Sequence, residues 1–524
     1  MIDKKNTGSY YTPSYLAEFI TQRVIDKLSN KKLSILEPSV GDGSFVSALS
    51  TYHDREISLT ALDINHDELK KASLKWKKNS KFLQQNFLEF NQNEEFSAVI
   101  GNPPYIKKKL LKEDDLEKIK EIHYNEGLSE NSVNNIWTTF VIKSCGLLKN
   151  DGVVAFVLPS ELLQVKYAKE IRAFLINKFE RIEIFTFNDL MFECKGQDTI
   201  VFFGYLKHEQ SGQYFTNIES QQELIDQNFT LKKNDILIEN DTKWSHHFLS
   251  KIELRFLHEL KNKIKTVSYY SDSKPGIVTA ANNFFIINDE TEKKYELENY
   301  TYPIIKKGLF VNGSIIFDQR DLDYLREKKL PTKFLHIKES DHLSAGLLSY
   351  LKIGEELKLN ERYKCSIRNR WYVVPNVSVQ PNAFFFKRAH LYPKLLKNNA
   401  LAYVTDSAYK IEIKEGFEIN SFIFSFYNSL TLLFAELEGR YYGGGVLELI
   451  PSEFKNLPLP YIAIDEERFA NFVYNFENKN SIEDILNEYN FHILNSSLGL
   501  NSRDIERIEQ IRLKLINKRI RKKT

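Results

Sequence analysis

Short apolar runs alternate with amphipathic stretches through the first two hundred residues. LSILEP (33–38), ISLTALDI (57–64), FSAVIG (96–101), GVVAFVLP (152–159), RIEIFTF (181–187) and TIVFFGYL (199–206) are rich in β-branched and aromatic side chains and predict strands. Before and between them, AEFITQRVIDKL (17–28) and ELKKASLKW (68–76) place apolar residues at helical spacing. This alternation predicts an α/β domain with a doubly wound, mostly parallel sheet. Residues 207–245 turn polar and Gln/Asn-rich, which reads as a linker. After it the pattern is irregular, a mixed α+β region of short strands, aromatic clusters and Gly-rich turns. Examples are GIVTAANNFFII (276–287), CSIRNRWYVVP (365–375) and YYGGGVLELIPSEFKNLPLP (441–460), and 464–524 reads as helical. The expected organisation is a first domain over 1–235, a second over 245–462, and a helical segment, 463–524, packed on the second.

A length of 524 residues exceeds one ordinary domain, and 42% hydrophobic with 13% aromatic content argues against disorder. The three cysteines, Cys145, Cys194 and Cys365, are widely spaced, with no CxxC, CxxH or HExxH. No disulfide framework and no metal site is expected, and a cytoplasmic location fits. The polar start MIDKKNTGSYYTP has no signal-peptide core, and no apolar run is long enough for a membrane span. Charge is uneven. Residues 1–230 hold 28 basic and 32 acidic side chains, a net of −4, and the rest hold 44 and 38, a net of +6. A polyanion would meet the second half.

The candidate chemistry lies where the first strands end. LEPSVGDGSF (36–45) follows the first strand, and Gly41 and Gly43 let the backbone turn sharply and approach a ligand. The second strand ends at Asp63, where an acid in a doubly wound sheet accepts hydrogen bonds from ribose hydroxyls, so the expected ligand is a nucleoside. No GxGxxG and no GxxxxGK[ST] is present, so neither a pyrophosphate cradle nor a P-loop is expected. The run IGNPPY (100–105) then closes a further strand at the carboxyl edge. Pro103 and Pro104 fix their own φ and hold Asn102 and Pro103 extended, giving a stiff arch with the Asn102 side-chain oxygen and the Pro103 carbonyl as paired acceptors. Two converging acceptors suit an amino group, and Tyr105 offers a ring on which a base can stack. Gripping both hydrogens of an adenine amine favours a pyramidal, nucleophilic nitrogen.

With these motifs in place, residues 7–206 resemble the gamma-class, TaqI-like DNA adenine-N6 methyltransferases of restriction–modification systems. The implied fold is a Rossmann-like S-adenosylmethionine-dependent methyltransferase domain followed by a target-recognition region. The resemblance makes Tyr11, Thr12 and Pro13 of GSYYTP, with Glu37, Pro38, Gly41 and Gly43, part of the cofactor site. It makes Asp63 the ribose acid, Asn86 and Phe87 the adenine pair, and Asn102, Pro103, Pro104 and Tyr105 the catalytic motif, with Phe192 stacking on the target base. The family usually has Asp where this chain has Asn86, and often Asp where it has Ser97. GIVTAANNFF resembles a recurrent GxxTGxNxxF element, with Ala280 in place of glycine, and GRYYGGG resembles a C-terminal element. Arg368, Arg370, Lys387, Arg388 and Arg440 are the candidate DNA contacts; the other reading of those stretches is core aromatics with solvated arginines. The implied partner is double-stranded DNA, bound by a monomer that a separate endonuclease can accompany. Alternatives are methylation of RNA or a protein glutamine, an added nuclease using Asp406, Glu412 and Lys414, and a non-catalytic DNA-specificity protein.

Overall fold

The computed structural model describes residues 11–77, 79–91, 95–188, 198–234, 243–311, 313–442, 444–479 and 481–520. It clusters into two units, Met1–Lys251 and Ile252–Thr524.

The first unit is built on a nine-stranded sheet. Its strands are β1 (Lys32–Glu37), β2 (Glu56–Asp63), β3 (Ser80–Gln84), β4 (Phe96–Gly101), β5 (Leu148–Pro159), β6 (Arg181–Phe187), β7 (Thr199–Tyr205), β8 (Gly212–Ile218) and β9 (Lys232–Lys233). They lie in the order β3-β2-β1-β4-β5-β7-β6-β8-β9. The pairs from β3 through β5 are parallel. β7 runs antiparallel between β5 and β6. This is the doubly wound, mostly parallel sheet that the alternation predicts. The strand order reverses direction at β1 and β4, and in such sheets ligands bind at the carboxyl ends beside that switch point.

The six strands expected from the sequence all form. β3, β8 and β9 were not expected, and β8 and β9 correct the reading of 207–245 as a linker. GQYFTNI pairs with β6 along its whole length and buries Gln213, Tyr214, Phe215, Thr216 and Ile218. Its polar letters hid a strand that is interior because β9 covers its outer edge.

Alternation along the strands divides the core between the two faces of the sheet. Ile35, Ala98 and Val153 point to one side, packing with α1 (Ser14–Lys27), α2 (Ser44–Ser50) and α3 (His66–Ser73). Leu36, Val99 and Val154 point to the other, against α4 (Glu113–Asn125), α5 (Ile136–Gly146) and α6 (Ala168–Lys178). Buried Glu183 on β6 is held by Arg23 and Arg181, each at 2.6 Å, so the charge in that core is paired.

The second unit mixes sheets and helices. A five-stranded sheet has Ala408–Ile413 and Ala383–Phe386 at its centre, and a four-stranded sheet includes Lys333–Leu335 and Thr301–Ile305. A hairpin, Arg440–Tyr442 with Val446–Glu448, forms at the glycine-rich element. Ile419–Phe426 and Ser429–Glu438 are buried on all sides and sit under the C-terminal helices Glu466–Asn478, Ile482–Leu498 and Ser502–Ile520. The stretch 365–375 forms no strand; it is irregular after a single turn at Tyr363–Ser366. Among the described residues, no helix is long and apolar enough to cross a membrane.

Candidate cofactor and catalytic site

A cavity of about 300 Å³ opens at the carboxyl ends of β1, β2, β3 and β4, within the size range of small-molecule sites. Its lining unites segments far apart in the chain: Tyr11 and Thr12, Glu37 to Asp42, Asp63, Asn86 and Phe87, and Asn102 and Pro104.

The turn after β1 needs its two glycines. Gly41 and Gly43 have φ of +49° and +75°, and a Cβ on Gly43 would lie 2.9 Å from the Ala72 Cβ. Val40 N–H donates to the Leu62 carbonyl at 2.9 Å, tying this turn to β2. Asp63 then accepts from the backbone N–H groups of Gly41 (2.9 Å) and Asn65 (2.8 Å). Burial raises the Asp63 pKa, and these N–H contacts oppose that shift. Each carboxylate oxygen has a second lone pair, so Asp63 brings the two loops together and can still accept from a diol.

Glu37 ends β1 and is 1% exposed, and its Oε2 has no hydrogen-bond partner. Burial, with Asp42 and Asp63 nearby, pushes its carboxyl well above the usual range. A buried, unsatisfied carboxylate costs free energy unless a donor meets it, so an ammonium group in this cavity would satisfy it. A nucleoside that carries an amino-acid chain with a cationic amine therefore fits the acceptors present.

At the arch after β4, Ser39 Oγ donates to the Asn102 carbonyl at 3.2 Å and Asn102 Nδ2 donates to Thr12 Oγ1 at 3.2 Å. With the nitrogen turned to Thr12, the Asn102 oxygen is the acceptor on the other side. The structure gives Tyr105 a bracing contact that spacing did not disclose. Its ring is 8% exposed, and its hydroxyl lies 2.9 Å from Asn102 Oδ1 and 3.0 Å from the Val157 carbonyl, with one proton to share. An amide oxygen has two lone pairs, so this brace is compatible with Asn102 accepting from an amine. Pro103 is buried and Pro104 lines the cavity. Ser97 exchanges two 3.2 Å contacts with Ser34, stitching β4 to β1.

Tyr11 lies beside Gly41, and Pro13 starts α1. Residues 8–10 of the N-terminal motif and Phe192 fall outside the described residues, as does Cys194; Cys145 and Cys365 are buried. The sequence did not mark Leu110, Leu111, Lys112, Asp115 and Phe140, which also line the cavity. They come from the segment that crosses over after the arch, and no local motif announces them.

In the second unit the expected DNA contacts separate into two kinds. Arg368 donates to the carbonyls of Thr279 (2.9 Å) and Trp371 (3.0 Å), and Arg440 pairs with Glu453 at 3.0 Å, both as internal props. Arg370 is exposed, Arg388 is 64% exposed though paired with Glu448, and Lys387 is half-buried. Ala280 adopts φ +65°, and the Arg362 guanidinium donates to its carbonyl at 3.3 Å. A left-handed residue explains why glycine suits this position. Glu412 lies on an alternating strand opposite Asp272. No group of three or more His, Cys, Asp or Glu among the described residues is placed to hold a metal.

Residues 20–192 match the profile "Eco57I restriction-modification methylase", and 241–494 match "Type II methyltransferase M.Eco57I, C-terminal domain". The chain is 24% identical over 390 residues to Type II methyltransferase M.AccI of Acinetobacter calcoaceticus, covering 72% of this chain and 71% of that one. It is 28% identical over 233 residues to Type II methyltransferase M.HincII of Haemophilus influenzae, covering 44% and 42%. Among solved structures, a nuclease-deletion mutant of the Type ISP restriction–modification enzyme LlaGI, in complex with a DNA substrate mimic, aligns with TM-score 0.51 at 13% identity, covering 90% of this chain and 54% of that one. Matches that follow one another through both units, together with the motif order, place the chain in the Eco57I-type, gamma-class family of restriction–modification DNA methyltransferases.

Proposed function

We propose that this protein methylates the exocyclic amine of an adenine within a specific duplex DNA sequence, using S-adenosylmethionine, as the modification enzyme of a restriction–modification system. The observation that carries the reading is the shared cavity: Asn102 of the arch lines the same space as Glu37 and Asp63. Glu37 would hold the cofactor's ammonium, Asp63 its ribose hydroxyls, and Gly41 and Gly43 would let the backbone lie close to it. When bound, the cofactor supplies an electrophilic methyl group on sulfonium and leaves as S-adenosylhomocysteine.

The chain's own task is to hold the nucleophile. A target adenine flipped from the duplex, at a cost of a few kcal/mol, would enter between Tyr105 and Phe192. Asn102 Oδ1 and the Pro103 carbonyl would accept from its two amine hydrogens. That contact draws the nitrogen lone pair out of the ring as the N–C bond forms and the S–C bond breaks. The amine's proton then passes to solvent.

The second unit supplies target recognition in this reading, with Arg370, Lys387 and Arg388 as phosphate or base contacts. The protein works as a cytoplasmic monomer, with or without a separate cognate endonuclease. The test is incorporation of labelled methyl groups into unmodified duplex DNA, followed by nucleoside analysis. N6-methyladenine at one recurring sequence supports the proposal. Modified cytosine, methylated RNA or protein in place of DNA, or no incorporation would overturn it.

A further inference from the structure

Beyond Asp63 the cavity continues to the exit of β3 and the start of α4. Asn86 caps the turn there: its Oδ1 accepts from Leu88 N–H at 3.0 Å, and its Nδ2 donates to Asp115 Oδ1 at 3.0 Å. These two contacts fix the amide's orientation, because a flipped amide would set NH₂ against N–H and oxygen against carboxylate. The Asn86 oxygen is therefore turned to the backbone. Asp115, beside it in the lining, is the carboxylate that this end of the cavity presents.

Resting on the cofactor reading above, we propose that Asp115, positioned by Asn86, accepts a hydrogen bond from the 6-amino group of the cofactor's adenine and selects aminopurine over other purine nucleosides. The strand order supports this placement. β2 lies between β1 and β3, so a nucleoside whose ribose meets Asp63 directs its base toward Gln85–Phe87 and the Asp115 wall. A carboxylate has about four lone-pair sites, so the Asn86 contact leaves Asp115 able to accept from an amine. A 6-oxo purine would turn an oxygen toward that carboxylate and be repelled. The amide at 86 matters for the same reason. An acid there would set two carboxylates about 3 Å apart, and one of them would be forced to protonate.

The test uses the full chain and two probes in calorimetric titration: S-adenosylhomocysteine and its counterpart lacking the 6-amino group. The native protein should favour the amino probe about 10–100-fold, the scale of a hydrogen bond to a charged group. Asp115→Ala should reduce that preference to within about threefold, while the affinity for the probe with hydrogen in place of the 6-amino group holds. Asp115→Ser, too short to reach, should do the same. The ratio of affinities is the readout, and a merely structural loss would not change it. An unchanged ratio in variants that still bind S-adenosylhomocysteine would overturn this inference alone. A native protein that binds neither probe would overturn the cofactor reading beneath it.

Discussion

The two units use their polar side chains in opposite ways. In the first, the chemically useful groups are left with capacity at a sheet edge. Asp63 is held by backbone N–H groups, Glu37 Oε2 meets no donor, and the Asn102 oxygen is aimed by its nitrogen's contact with Thr12. In the second, several basic side chains are spent inside, paired with acids. Arg519 reaches Glu436 at 2.7 Å with both side chains almost wholly buried, and Arg512 joins Glu483 and Glu509. A count of basic side chains therefore does not measure how much cationic surface is offered to DNA. Charge that forms buried pairs sets structure, and charge left outside sets recognition.

The largest effect that separates these uses is on stability. Burial raises the Glu436 pKa, and the guanidinium of Arg519 opposes that. Arg519→Ala would leave Glu436 as an uncompensated buried charge and should cost about 3–5 kcal/mol in urea unfolding. Little loss would place Arg519 outside the core. Next is catalysis: Asn102→Ala should lower methyl-transfer turnover by roughly 10²–10³ with the unfolding midpoint held, the scale of one preorganised polar contact. Full turnover would remove the arch from the mechanism.

Glu37→Gln should act in opposite directions on stability and binding. The folded-state pKa is raised, so the folded protein keeps a proton that the unfolded chain loses above its ordinary value of 4.5. Stability of the free protein therefore falls as pH climbs from that value through the raised one. The amide should remove this slope, raise Tm at neutral pH and weaken S-adenosylhomocysteine binding. A steeper slope or tighter binding would refute the assignment. Smaller still, Ala280→Gly relieves a left-handed alanine, and the greater freedom of glycine in the unfolded chain offsets part of that gain. The expected net is a stabilisation under about 1 kcal/mol by thermal melting. Arg388→Ala should change stability by less than about 1 kcal/mol while reducing the salt slope of DNA binding by about one. An unchanged slope would leave Arg388 off the DNA surface.

Much of the first unit was legible because its signals are local. β-branched runs gave six strands, two glycines gave the turn, and two prolines gave the arch. β8 was missed because GQYFTNI owes its burial to β6 and β9, which lie beside it only in the folded sheet. Asp115 was missed for a related reason. Nothing in LKEDDLEKIK marks one acid of four as facing a cavity, and the contact with Asn86 spans 29 positions.

The sequence by itself determined the order of elements, the two stiff loops and the amide held at the arch, since φ restriction, strand periodicity and side-chain chemistry act within a few residues. Only the tertiary structure decided which charges are shared, which are buried and which meet in one cavity. Those outcomes depend on distances between segments that the order of residues does not encode locally, and electrostatic energy is set by those distances and by the solvent removed between them.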